Sequence, residues 1–193
     1  MSEDNKIQIS GAEAVIKSLV AEGIEVIYGY PGGAIMPIYD ALWHYMDKIT
    51  HILTRHEQGA VHAAEGWGRI KGKAAVCFAT SGPGATNLIT GIADAIMDST
   101  PMVCITGQVP MQLLGSDAFQ ETDVIGISMP ITKWNYQITR AAEIPTILAK
   151  AFYITAYFMH LGDEIKNMIM TIAVPLLLFI WFITAFLTDG NSW

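Results

Sequence analysis

Cysteine is nearly missing from this sequence: of 193 residues only Cys77 and Cys104 are cysteine, and no CxxC pair occurs. Each sits in an apolar run, AAVCFA and MVCIT, which reads as a buried strand position rather than a metal or redox site. So few thiols give no sign of an oxidising compartment. Basic residues are scarce as well. Lys and Arg total 11 against 18 Asp and Glu, a net charge of −7. That balance excludes a nucleic-acid-binding surface, which needs clustered Lys and Arg. The polar opening MSEDNKIQIS has no signal-peptide apolar core, so the first part of the chain is expected in the cytoplasm. Internal repeats, low-complexity tracts and Pro/Ser-rich linkers are missing too.

Long hydrophobic runs are also missing, until near the end. From Asn167 to Thr188 no residue is charged. About 20 apolar residues rising ~1.5 Å each cover the ~30 Å core of a bilayer. A transmembrane helix is therefore predicted at about 168–187, kinked at Pro175 and inserted in the cytoplasmic (inner) membrane. Lys166, just before it, suggests a cytoplasmic N-terminal side. Two regions follow: a head, 1–154, and a foreign-looking tail, 155–193.

The head alternates short β-rich runs with helical ones. Ser10 and Glu13 form an S-x-x-E start signal for a helix ending at Gly23. Strands are predicted at 25–29, 51–54, 74–79, 102–106 and 131–136, and further helices at 35–45, 58–70, 85–97 and 141–154. This order predicts an α/β fold, a parallel sheet flanked by helices. In such sheets the functional groups gather at the carboxyl ends of the strands. Four loops qualify: YPGGA (30–34), RHEQGA (55–60), TSGPGATN (80–87) and TGQVP (106–110). All four should open on one edge.

Glu57 is the strongest candidate for chemistry. It follows a strand and opens a helix rich in small residues, where an apolar setting and a helix N-terminus push a carboxyl in opposite directions. A carboxyl able to exchange a proton near neutrality suits acid–base work, although on position alone an ordinary first-turn helix carboxylate is the commoner reading. The nearby His56, His62 and Glu65 do not make a zinc motif. The histidines are spaced i, i+6 and fall on different helix faces, so no metal site is expected. The glycine-rich loops 31–34 and 81–84 each lead into a helix and would let a ligand approach backbone N–H groups. Neither matches a dinucleotide or P-loop pattern.

Taken together, ISGAEAVIKSLVAEGIEVIYGYPGGAIMPIYDAL, RHEQGAVHAAEGWGRIKGK, TSGPGATNLITGIADA, TGQVP, GSDAFQETD and TKWN resemble acetolactate synthase large subunits over about residues 9–154. The resemblance implies the pyrimidine-binding domain of a thiamine-diphosphate enzyme of branched-chain amino-acid synthesis, which condenses pyruvate with pyruvate or 2-oxobutyrate. It implies that Glu57 hydrogen-bonds the cofactor's aminopyrimidine and favours the tautomer that deprotonates the thiazolium carbon. It implies that Gly33, Asn87 and Gln120 border the cofactor, and that Pro110 and Phe119 border the substrate. Mg²⁺ and FAD, a homodimer or higher oligomer, and a regulatory small subunit are expected for the full-length family. After AFYI the family's Gly-Arg-Pro-Gly-Pro-Val segment is replaced, with Met159 where its flavin-contacting arginine would stand. The FAD and Mg²⁺ sites are thus not expected in this sequence. The tail, 156–191, resembles the C-terminal end of small fourth subunits of bacterial haem–copper oxidases.

Two functional readings follow. One is a truncated acetolactate synthase large subunit, inactive alone and joined to foreign sequence as a chimera. The alternative is a membrane-tethered, non-catalytic module whose head binds a partner or part of a cofactor.

Overall fold

Four parallel strands, β1 (Val26–Gly29), β2 (Thr50–Leu53), β3 (Ala75–Ala79) and β4 (Met102–Thr106), make one sheet in the order β2-β1-β3-β4. They come from a computed structural model that describes residues 8–158. The chain divides into two units, Met1–Met159 and His160–Trp193, and the described residues all belong to the first. The transmembrane helix expected at 168–187 lies outside the described residues. Among these, no helix is long and apolar enough to cross a membrane.

The helices are α1 (Gly11–Ala21), α2 (Met36–Trp43), α3 (Glu57–Lys71), α4 (Pro83–Thr86), α5 (Ile89–Met97), α6 (Val124–Ser128) and α7 (Ile144–Phe158). Ser10 caps α1 as expected, its Oγ accepting from the Glu13 N–H at 3.1 Å. The Glu13 carboxylate does not complete the reciprocal half of the box; it pairs with Lys17 at 3.0 Å.

Central strand β3 shows why the layers form. All five of its residues are buried, the continuous apolar pattern of a parallel strand covered on both faces. Val76 and Phe78 pack into a core with Ile16 and Leu19 of α1, Leu42 of α2 and Leu148 of α7. Ala75, Cys77 and Ala79 face the other way, toward Ala60, Val61 and Ala64 of α3. Small residues on that face bring α3 close to the sheet. α5 is close as well: a Cβ at Gly91 would lie 2.3 Å from Val61 Cγ1.

Two predictions about local structure are corrected. The helix expected over 85–97 is broken in two at Asn87–Leu88. The strand expected over 131–136 is absent; Met129–Ile131 form a 3-10 turn and 132–140 run irregularly. Its polar groups bond back to α6 instead of a ladder. Asn135 Nδ2 donates to Ile125 O at 2.8 Å and to Ser128 Oγ at 3.0 Å, and Thr132 Oγ1 donates to Ser128 O at 2.8 Å.

A half-buried polar pair lies between α2 and β2. The Tyr39 and His51 rings meet edge to face at 5.0 Å, and Tyr39 Oη and His51 Nε2 have no hydrogen-bond partner among the described residues. Burial raises the Tyr39 phenol and holds the His51 imidazole below its ordinary 6.5. An unfolded chain would thus take up this proton near pH 6.5, while the folded one resists it. The stability from a neutral His51 is complete above about pH 6.5 and is lost as the pH falls below that value. Urea titrations between about pH 7.5 and pH 5 should show this loss, and His51→Phe should flatten it. Equal slopes for both proteins would rule His51 out as the cause.

Candidate functional site

Because all four strands run the same way, the loops after them open on one edge, as the sequence implies. α3 starts one residue earlier than expected, at Glu57, because His56 is its cap: His56 Nδ1 accepts from the Gln58 N–H at 3.1 Å. That bond needs an unprotonated Nδ1, so it selects the tautomer with the proton on Nε2. Glu57 is thereby fixed as the first residue of a helix anchored under the sheet, and it is buried, 7 % exposed.

Asn87 holds one side of the carboxylate. Its Nδ2 donates to Glu57 Oε2 at 2.9 Å across thirty residues of sequence. The break between α4 and α5 falls at Asn87, which ends α4 while its side chain reaches Glu57. Glu57 Oε1 accepts no hydrogen bond among the described residues and lies against Gly84, where a Cβ would stand 3.1 Å away.

Thr80 ties the loops together, a role that sequence patterning alone does not single out. Buried at the end of β3, its Oγ1 accepts from the Ala34 N–H at 3.2 Å. Its methyl fills the space where a Cβ on Gly32 or Gly84 would come within 2.6 Å. A β-branched hydroxyl between an apolar strand and SGPG is the one signal that points to it. Gly107 closes on the same point, its would-be Cβ 3.0 Å from the Ala34 carbonyl carbon.

The other expected residues are placed unequally. Gly33 opens a 3-10 turn, Gly33–Ile35, and is exposed; a Cβ there meets nothing within 4 Å. Gln120 stands beside the 80–87 loop through its backbone, which Gly82 approaches so closely that a Cβ would lie 2.5 Å from Gln120 O. Both turns are left-handed, Gly82 at φ +56° and Gln120 at φ +60°. Glycine suits the first for both reasons. Pro110 and Phe119 are exposed, Phe119 by 88 %, so the positions expected to face substrate lie open on the surface.

Residues 9–127 match the family described as "Thiamine pyrophosphate enzyme, N-terminal TPP binding domain". The chain belongs to this family. It is similar to the "Probable acetolactate synthase large subunit" of Methanocaldococcus jannaschii, 59% identical over 146 residues that make up 76% of this chain and 24% of that protein. An "Acetolactate synthase" of Mycobacterium bovis is 56% identical over 149 residues, 77% of this chain and 24% of its own length. The large subunit of Lactococcus lactis is 54% identical over 145 residues, 75% of this chain and 25% of its own. The chain thus spans about a quarter of the length of the curated relatives it matches.

The residues present suit a ligand of this thiamine pyrophosphate enzyme domain that carries a hydrogen-bond donor. Glu57 offers one oriented acceptor oxygen without a protein partner among the described residues, beside a glycine cradle. Among the described residues the one group of three metal-capable side chains is His62, Glu65 and Asp94, on α3 and α5, with ligand atoms within 4.8 Å of one another. Glu65 there is already bonded to Arg69, at 2.5 Å.

Proposed function

We propose that this chain is the cofactor-activating quarter of an acetolactate synthase large subunit, working on pyruvate with pyruvate or 2-oxobutyrate as acceptor. The observation that carries the reading is the Glu57 carboxylate. It is buried at the loop edge, oriented by Asn87 through one oxygen and open at the other, in a chain 54% to 59% identical to such subunits.

In this reading Glu57 Oε1 shares a proton with the ring nitrogen of the aminopyrimidine, accepting from it when the proton sits on the ring, and Asn87 keeps the carboxylate turned toward it. His56 and the first turn of α3 fix the backbone beneath it, so the acceptor is set before the ligand arrives. Gly33 leaves a gap on the opposite loop for the reacting carbons, while Gln120, Phe119 and Pro110 border the ligands. When bound, thiamine diphosphate supplies the carbon nucleophile that adds to the keto acid. Mg²⁺ with the diphosphate and FAD are held by parts of the enzyme outside residues 8–158, while the open face of Glu57 meets the diphosphate-holding part of a second subunit; a regulatory small subunit belongs to the full-length family. The border near 154 and the membrane span at 168–187 rest on sequence pattern alone.

Two measurements test this. The 193-residue chain alone, given pyruvate, thiamine diphosphate and Mg²⁺, should form no acetolactate; formation at an enzymatic rate would contradict the division of labour proposed here. Residues 9–154, grafted in place of the matched quarter of the Methanocaldococcus jannaschii subunit, should restore acetolactate synthesis. A graft that folds and binds thiamine diphosphate yet stays inactive would favour the non-catalytic binding module.

A further inference from the structure

We propose that Thr80 is a positioning residue for the reaction: its hydroxyl holds the Gly33–Ala34 peptide in place relative to the open oxygen of Glu57. The role presupposes the cofactor reading, in which the gap beside Gly33 and Glu57 Oε1 serve the same ligand.

The peptide unit between Gly33 and Ala34 is planar, so holding both of its ends fixes its plane. At one end the Ala34 N–H donates to Thr80 Oγ1 at 3.2 Å, across 46 residues of sequence. At the other end Gly33 O accepts from the Met36 N–H. That second bond is local to the turn, as is the one from the Ile35 N–H to Gly32 O at 3.1 Å. Among the described residues, the Thr80 bond is the one hydrogen bond between residues 32–34 and the loops that follow the other strands. Gly32 rests against the same side chain, where a Cβ would come within 2.6 Å of both Thr80 Cβ and Cγ2. The two residues flanking Gly33 are therefore both seated on Thr80.

The methyl of Thr80 reaches the other half of the site. A Cβ on Gly84 would lie 2.6 Å from Thr80 Cγ2 and 3.1 Å from Glu57 Oε1, so the methyl and the carboxylate oxygen border the same point beside one glycine. One short side chain thus touches the Gly33 loop through its oxygen and the Glu57 cradle through its carbon. Its β-branch makes χ1 stiff, and it is buried, 8 % exposed, where water is a poor substitute for the hydroxyl. Valine would continue the apolar run of β3 without a buried hydroxyl; what it lacks is the acceptor for Ala34. A spacer of this kind sets the geometry before the ligand arrives, and a misplacement of ~1 Å between reacting groups costs on the order of 10²-fold in rate.

Two substitutions separate the hydroxyl from the methyl. Thr80→Val keeps the shape and removes the acceptor, whereas Thr80→Ser keeps the acceptor and removes the methyl. In the grafted enzyme Thr80→Val should lower kcat by roughly tenfold or more while the KM for thiamine diphosphate changes by less than about threefold, and Thr80→Ser should recover most of the loss. A residue that only packs the core gives the reverse order, because serine opens a cavity and valine does not. That order overturns the proposal. In the 193-residue chain, amide exchange at Ala34 should quicken by roughly tenfold or more in Thr80→Val and stay near the parental rate in Thr80→Ser, with the amides of β3 unchanged in both. Equal rates at Ala34 in all three proteins, or a loss of protection throughout β3, likewise overturn it. If Glu57→Gln slows the graft and Thr80→Val does not, the proposal fails and the cofactor reading stands. A graft indifferent to Glu57→Gln overturns both.

Discussion

Glu57→Gln in the grafted enzyme lowers kcat by about 10²- to 10⁴-fold, the usual worth of a positioned proton-transfer group. The amide has nearly the volume of the carboxyl it replaces, and its oxygen can still accept from Asn87, so the fold survives. What disappears is the anionic acceptor at Oε1. The rival account makes Glu57 an ordinary first-turn carboxylate stabilising the N-terminus of α3. That role is worth about 0.3–1 kcal/mol of stability and nothing in turnover. Steady-state kinetics and urea unfolding on the same preparation separate the two. A drop in kcat with near-constant stability supports the catalytic role, and lower stability with unchanged kcat supports the rival.

Gly33→Ala produces the second large effect, and again the contrast between activity and stability is diagnostic. The new Cβ meets no atom within 4 Å and the backbone needs no positive φ there, so the chain alone should unfold within roughly 0.5 kcal/mol of the parent. In the grafted enzyme the methyl projects into the gap where the reacting carbons are proposed to sit. A misplacement of ~1 Å at such a point costs on the order of 10²-fold in rate. Gly84→Ala should behave differently. Its Cβ would press to 2.6 Å from Thr80 Cγ2 and 3.1 Å from Glu57 Oε1, so stability and activity fall together. If Gly33→Ala left turnover intact, the space beside Gly33 would not be where the chemistry occurs.

Much of this was legible in the sequence because the signals were local. The alternation of short β-rich runs with helical ones gave four strands and their direction, and the direction placed the four loops on one edge. The S-x-x-E signal located α1. What the sequence hid depends on contacts across many residues. The apolar pattern runs unbroken through 85–97, and only the tie between Asn87 and Glu57 shows why the helix breaks there. Thr80 looked like one residue of a turn, yet it ties its own loop to the 30–34 loop, distant in sequence. Residues 131–136 have strand composition but no neighbour to pair with, and β-propensity without a ladder does not make a strand.

The pairing of Glu57 with the cofactor is the central claim, and the rate of deuterium exchange at the thiazolium C2 position of bound thiamine diphosphate tests it most directly. In the grafted enzyme, quenched and read by NMR, exchange should slow by on the order of 10²-fold or more in Glu57→Gln with the cofactor still bound. The same exchange rate in both proteins, at equal cofactor occupancy, would contradict the account.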